Sequence, residues 1–282
     1  MYCLPNAKIN IGLRIVAQRP DGYHDLQTVF YPLPLTDSLE VKKAHHLHQP
    51  YEFILSGTPI SGTNDRNLVV RVFLSLREEF QLPPTSIFLS KRIPVGAGLG
   101  GGSSDAAFMM KLLNDYYRLG LTDDDMEQRL TVFGADCPFF VRNTAVYAEG
   151  IGNEFSPVSL SLKGVYVVLV KPSVSVSTAE AYAGVVPQAD TLAYTHTPVM
   201  DTLAAIKQPL EQWRDVVVND FEPSVFARYP EIAAIKQTLY DMGAVYASMS
   251  GSGSAVYGLF SRPIDNAATI FPDCFTFAGQ LR

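Results

Sequence analysis

Ala7, Ile9, Ile11, Leu13 and Ile15 alternate with Lys8, Asn10, Gly12 and Arg14, the period-two signature of a strand with one buried face. The pattern sets Lys8 and Asn10 together on the opposite face. Arg19-Pro20-Asp21-Gly22 supplies turn chemistry and Asp25 to Leu35 resumes an extended pattern, which predicts a hairpin carrying Tyr23 and His24 near its bend. A short extended stretch is expected at Leu39 to Val41.

Asn64 or Asp65 can cap a helix through Leu68, Val69, Val72, Phe73 and Leu76 that stops before Pro83-Pro84. Ser86 to Ile93 reads as a strand leading into Pro94 and a glycine-rich run. From Ser103, apolar residues at Ala106, Met109, Met110, Leu113, Tyr116 and Tyr117 recur at helical spacing, with Gly120 as terminator. Thr122 followed by Asp123, Asp124 and Asp125 predicts another helix start, because acids complement the exposed amides there. Gly134 is expected to end that helix and leave Ala135 to Pro138 in a loop. Ala145 to Tyr147 and Val165 to Val170 read as strands, Ala179 to Asp241 as helix-rich, and Ser250 to Ser254 as a Gly-Ser turn between strands. A domain boundary is expected near residue 158.

A chain of 282 residues, 47% of them hydrophobic, has ample material for two modest lobes or one large domain. Twenty-two basic against 28 acidic residues give a net charge of −6, and no dense Lys/Arg cluster offers the footprint of a nucleic-acid binder. Cys3, Cys137 and Cys274 are far apart and lack metal-ligand or CxxC spacing, so neither a disulfide framework nor a zinc site is expected and a reducing cytoplasm is the natural home. No export signal or membrane-spanning run is expected. His45, His46 and His48 lie in a polar stretch without a completing ligand set and are expected to be solvated.

The glycines at 96, 98, 100, 101 and 102 allow tight turns and close backbone approach beside a helix N-terminus, which favours anions such as the phosphates of ATP. A flexible linker is the alternative, although linkers are not usually bracketed by a strand and an amphipathic helix. Gly96, Gly98 and Gly101 also satisfy GxGxxG, but Pro94 directly precedes them and the first 60 residues show no βαβ succession. No GxxxxGK[ST] sequence occurs. Lys8 alone reads as a solvated lysine, Asp136 as a turn residue, and Tyr23 and Tyr182 as half-buried aromatics. Their functional alternatives are a charged pair that removes a hydroxyl proton and two faces that sandwich a planar base.

PNAKIN at 5–10, RPDGYH at 19–24, PVGAGLGGGSSDAA at 94–107, GADCPFF at 134–140, NDFEP at 219–223 and SGSGSAVYGLF at 250–260 together resemble the GHMP kinases. The resemblance implies an α+β, two-lobed chain, with a ribosomal-protein-S5-like N-terminal domain over residues 1–158 and a ferredoxin-like C-terminal domain over 159–282. It implies ATP and Mg²⁺, with ATP bound by Pro94, Gly96, Gly98, Leu99, Gly100, Gly101, Gly102, Ser103 and Ser104. Ser104 would also reach Mg²⁺ through Mg-ATP.

By the same resemblance Asp136 is the base and Lys8 the cation that steadies charge on the γ-phosphate. Asn10, Tyr23, His24, Thr178 and Tyr182 would contact the acceptor, Tyr23, His24 and Tyr182 at its cytosine. The motifs are most similar to those of members that phosphorylate the 2-hydroxyl of 4-diphosphocytidyl-2-C-methyl-D-erythritol in the non-mevalonate isoprenoid pathway. A homoserine- or mevalonate-type kinase, or a nucleotide sensor on the same fold, are the alternatives.

Overall fold

A computed structural model describes residues 1–60, 62–185 and 201–282. The strands in chain order are β1 (Tyr2–Cys3), β2 (Asn6–Gln18), β3 (His24–Thr36), β4 (Ser38–Lys43), β5 (Tyr51–Gly57), β6 (Thr85–Lys91), β7 (Val146–Glu149), β8 (Glu154–Pro157), β9 (Tyr166–Lys171), β10 (Tyr246–Met249), β11 (Val256–Phe260) and β12 (Phe275–Gln280). Two compact units are built from interleaved pieces of chain. The first comprises Met1–Ala7, Leu35–Val95 and Gly100–Thr144, the second Lys8–Pro34, Gly96–Leu99 and Ala145–Arg282.

The first unit holds a sheet of order β1-β4-β6-β5. β5 and β6 run parallel, which demands a crossover, and helix α1 (Leu68–Phe80) lies between them in sequence. Its cap is Asn67, whose side-chain oxygen accepts from Val69 N at 3.0 Å. The expected caps Asn64 and Asp65 instead form a short 3₁₀ turn with no buried residue, because Asn67 has the extended backbone that lets a side chain fold over the helix start.

Helix α2 (Gly101–Tyr117) begins two residues before Ser103, with Gly100 at its N-cap. Ala106, Met109, Met110 and Leu113 are buried, while Tyr116 and Tyr117 pack edge to face at its half-buried end. Helix α3 (Asp123–Leu130) carries a capping box, Thr122 Oγ1 accepting from Asp125 N and the Asp125 carboxylate from Thr122 N. It stops at Leu130 instead of Gly134, and Asp136 sits in the turn before α4 (Phe139–Arg142).

The second unit contains two sheets. One has the order β2-β3-β7-β8. The other has the order β10-β11-β9-β12, antiparallel throughout. With helices between β9 and β10 and a helical turn at Ala267–Ile270 before β12, this is the split βαββαβ arrangement of the ferredoxin-like fold. Ile232, Ile235 and Leu239, on the helix Pro230–Asp241, pack with Val168, Val170, Met249 and Val256. Each such buried side chain contributes about 1.5–3 kcal/mol of transfer free energy.

The strand pattern of β2 has the expected alternation but a different burial. Both faces are covered, and Lys8 and Asn10 are only 3% and 4% exposed. Among the described residues no helix is long and apolar enough to cross a membrane.

Candidate functional site

In the second unit the N-terminal strand, the start of the glycine run and the Gly-Ser turn after β10 join through one hydroxyl. Ser250 Oγ donates to Gly98 O at 2.8 Å and accepts from Asn10 N at 3.2 Å. Asn10 Oδ1 accepts from Lys8 Nζ at 2.6 Å, and Asn10 Nδ2 donates to Thr28 Oγ1 at 3.1 Å. Lys8 N donates to Leu99 O at 3.0 Å. The ammonium of Lys8 lies 4.3 Å from the Phe30 ring centroid, so an amide oxygen and a ring face serve a cation taken out of water.

Gly98 has φ of +75°, and a Cβ there would stand 2.0 Å from Ser250 O. Only glycine lets these two backbones touch.

The Gly-Ser turn is itself held by NDFEP. Asn219 Nδ2 donates to Met249 O and Gly251 O, both at 2.8 Å. Glu222 accepts from Met249 N at 2.8 Å and from Lys236 Nζ at 2.6 Å. Ser250, Asn219 and Glu222 therefore support the cluster although sequence reasoning gave them no individual roles. The recurrence of polar residues in two motifs without a chemical assignment was the available signal.

The aromatic residues of the hairpin bend are placed differently from one another. His24 and Tyr182 stack on each other, 4.7 Å between centroids, and Tyr182 meets Phe221 edge-on. Tyr23 is 62% exposed, its backbone N–H turned to Asp21 Oδ1. Tyr182 lies on helix α5 (Thr178–Ala183), capped by Ser177. At the start of that helix Thr178 Oγ1 lies 3.4 Å from Ser252 Oγ, on the same Gly-Ser turn.

In the first unit the glycine run opens α2. Its first amides lack intrahelical acceptors and carry the positive end of the helix dipole, which suits a phosphate. Pro94 is buried, Gly102 exposed and Ser103 half-buried. Ser103 is hydrogen-bonded to the Cys137 thiol, yet burial still pushes that thiol up to about 11. The bond sets the GADCPFF turn beside the start of α2, with Asp136 half-buried next to Cys137.

Ser104 Oγ is fully buried and without a hydrogen-bond partner. No three His, Cys, Asp or Glu side chains among the described residues are placed to hold a metal ion. Mg²⁺ carried on nucleotide phosphates keeps several waters and needs no protein cage, and the unpartnered Ser104 hydroxyl is an oxygen compatible with such an ion.

Residues 67–143 match the family description "GHMP kinases N terminal domain" and residues 202–275 match "GHMP kinases C terminal". The 4-diphosphocytidyl-2-C-methyl-D-erythritol kinase of Bacteroides thetaiotaomicron is 52% identical over 282 residues, covering all of both chains. A crystal structure of 4-(cytidine 5'-diphospho)-2C-methyl-D-erythritol kinase is 30% identical with a TM-score of 0.83, covering 100% of this chain and 99% of that one. The Methanococcus jannaschii mevalonate kinase structure, at 13% identity and a TM-score of 0.67 over 100% and 98% of the two chains, shares the fold. With both halves of the family description matched and full-length relatives at this identity, the chain belongs to the GHMP kinases, and among them to the 4-diphosphocytidyl-2-C-methyl-D-erythritol kinase family.

Proposed function

We infer that this chain transfers the γ-phosphoryl group of ATP to the 2-hydroxyl of 4-diphosphocytidyl-2-C-methyl-D-erythritol, giving ADP and the 2-phosphate. The observation that carries this reading is the Ser250 hydroxyl, which ties Gly98 of the glycine run to the strand bearing Lys8 and Asn10. A phosphate-binding backbone and a buried cation fixed to one another suit phosphoryl transfer, whose loose transition state responds mainly to positioning and charge stabilisation.

In this reading residues 1–158 form the N-terminal domain and 159–282 the C-terminal domain. The backbone of Pro94, Gly96, Gly98, Leu99, Gly100, Gly101 and Gly102, with the hydroxyls of Ser103 and Ser104, holds ATP. Asp136 accepts the proton of the acceptor hydroxyl as attack proceeds, a contribution of ~10²–10⁴-fold. Lys8 steadies the charge that gathers on the transferring group. Asn10 orients the methylerythritol end.

Tyr23, His24 and Tyr182 receive the cytosine, and Thr178 contacts the same substrate. Mg²⁺ bound to ATP supplies neutralisation of phosphate charge, and Ser104 offers the chain's own oxygen toward it. The reaction is proposed to run in the cytoplasm, a reading that three free cysteines support.

The test is an acceptor panel with ATP and Mg²⁺, read by ADP release and by ³¹P spectra of the product. The cytidyl substrate should be phosphorylated at the 2-position. Preference for mevalonate or homoserine, or nucleotide binding with no transfer to any acceptor, would sink the reading.

A further inference from the structure

A buried cluster of three charged groups lies against the start of α2, and none of the assigned roles uses it. Asp37, between β3 and β4, has one carboxylate oxygen accepting from the backbone N–H groups of Arg92 and Ile93 and the other bonded to Lys91 Nζ. Lys91 Nζ also donates to Asp105 Oδ2 at 2.6 Å. All three side chains are at most 3% exposed. Residues 91–93 precede the glycine run and Asp105 follows it on α2, so one ammonium fastens both ends. The fit is close: a Cβ on Gly101 would stand 2.8 Å from Ile93 Cγ2 and 3.3 Å from Lys91 Nζ.

As a stabilising device the cluster is poor. Two carboxylates share one ammonium, and Asp105 Oδ1 is buried with no hydrogen-bond partner. An unsatisfied buried polar atom costs about 1–3 kcal/mol, and buried ion clusters often stabilise no better than apolar side chains of the same volume. What the trio provides that packing does not is directional attachment of strand end to helix start.

We propose that Asp37, Lys91 and Asp105 are positioning residues for ATP, a three-group clamp that fixes the two ends of the glycine-rich run and so sets where its amides stand. The proposal rests on the assignment of that run to ATP.

Steady-state kinetics separates the two claims. Asp105→Ala releases α2 from Lys91 and should raise the KM for ATP ~10-fold, since small misplacements of positioning groups cost up to ~10²-fold, with kcat and the KM for the cytidyl acceptor within about twofold. Asp105→Asn, whose amide oxygen can still accept from Lys91, should restore the KM for ATP. The apolar pair Lys91→Met with Asp105→Leu, made together with Asp37→Asn so that no buried charge loses its partner, fills the site while the amide oxygen at position 37 keeps its backbone donors. It should melt close to the parent yet keep the raised KM for ATP.

Gly96→Val probes the loop itself, because Gly96 has φ of +62° with nothing within 4 Å of an added Cβ. If that variant binds ATP normally, the loop assignment falls. If it raises the KM for ATP while Asp105→Ala and the apolar pair do not, the clamp alone falls. A fall in kcat or melting temperature with an unmoved KM for ATP would make the cluster merely structural and overturn the proposal, as would failure of both the Asp105→Ala and the apolar variants to fold.

Discussion

The imidazole of His24 lies face to face with the ring of Tyr182, centroids 4.7 Å apart and planes 21° from parallel. A third ring needs roughly 3.5 Å on either side, so a cytosine is admitted between them only when the two separate. Tyr182 is held edge-on by Phe221 and packs on the core of its unit, which leaves His24, at the hairpin bend, to give way. Tyr182→Ala should then raise the KM for the cytidyl substrate about 5- to 150-fold, the range of ~1–3 kcal/mol per stacked base. The KM for ATP should stay within twofold. An unmoved acceptor KM would remove Tyr182 from the cytosine site.

Asp136→Asn keeps the shape of the turn before α4 and removes the carboxylate proposed as proton acceptor. Turnover should fall ~10²–10⁴-fold while ATP binding, followed by fluorescence of a labelled nucleotide, changes little. A loss under tenfold would leave the base unassigned.

Two glycines of one run should respond in opposite ways. At Gly98 a Cβ would stand 2.0 Å from Ser250 O, on a backbone with φ of +75°. Gly98→Ala should destabilise the protein by ~1–3 kcal/mol and raise the KM for ATP. At Gly102, inside the first turn of α2, the nearest atom to an added Cβ is Leu68 Cδ1 at 4.0 Å. Gly102→Ala should leave stability within ~0.5 kcal/mol or raise it, since alanine is the better helix former. Urea denaturation of both variants decides the matter, and equal losses would refute the contrast.

Burial pushes the Asp105 carboxyl up to about 7, with Asp37 adding to the rise and Lys91 opposing it. The folded protein thus holds this proton where the unfolded chain, with an ordinary carboxyl, has lost it. Its stabilising contribution is complete below about pH 4 and is lost as pH climbs through about 7. Asp105→Asn removes that dependence, so its stability relative to the parent should improve from pH 5 to pH 8. A stability difference that is flat with pH would contradict the assignment.

Much of the chain was legible because local chemistry and tertiary structure agree. Thr122 and its three aspartates gave α3 its start, and strand, Gly-Ser turn and strand were found around Ser250. The resemblance carried by six motifs led to the family. What escaped depends on partners far away in sequence. Lys8 and Asn10 read as solvent-facing because alternation reports one buried face and cannot report that Phe30, Thr28 and Ser250 cover the other. β8 and β12 have four and six residues with little alternation, and their pairing with β7 and β9 is what makes them strands. The Asp37–Lys91–Asp105 cluster joins Lys91 to partners 54 and 14 positions away on either side, each ordinary on its own.

The strand that carries Lys8 takes part of its support from residues far later in the chain. Leu13 pairs with Val218 and Asp220, and the Tyr257 hydroxyl reaches Asn10 O across 247 residues of sequence. At ~5–20 residues per second of synthesis, that partner leaves the ribosome roughly 12–50 s after Asn10 does. Through that interval the strand can lie against β3, Phe30 and Thr28 but lacks the cover of β11, so the burial of this segment is completed only after β11 has been made.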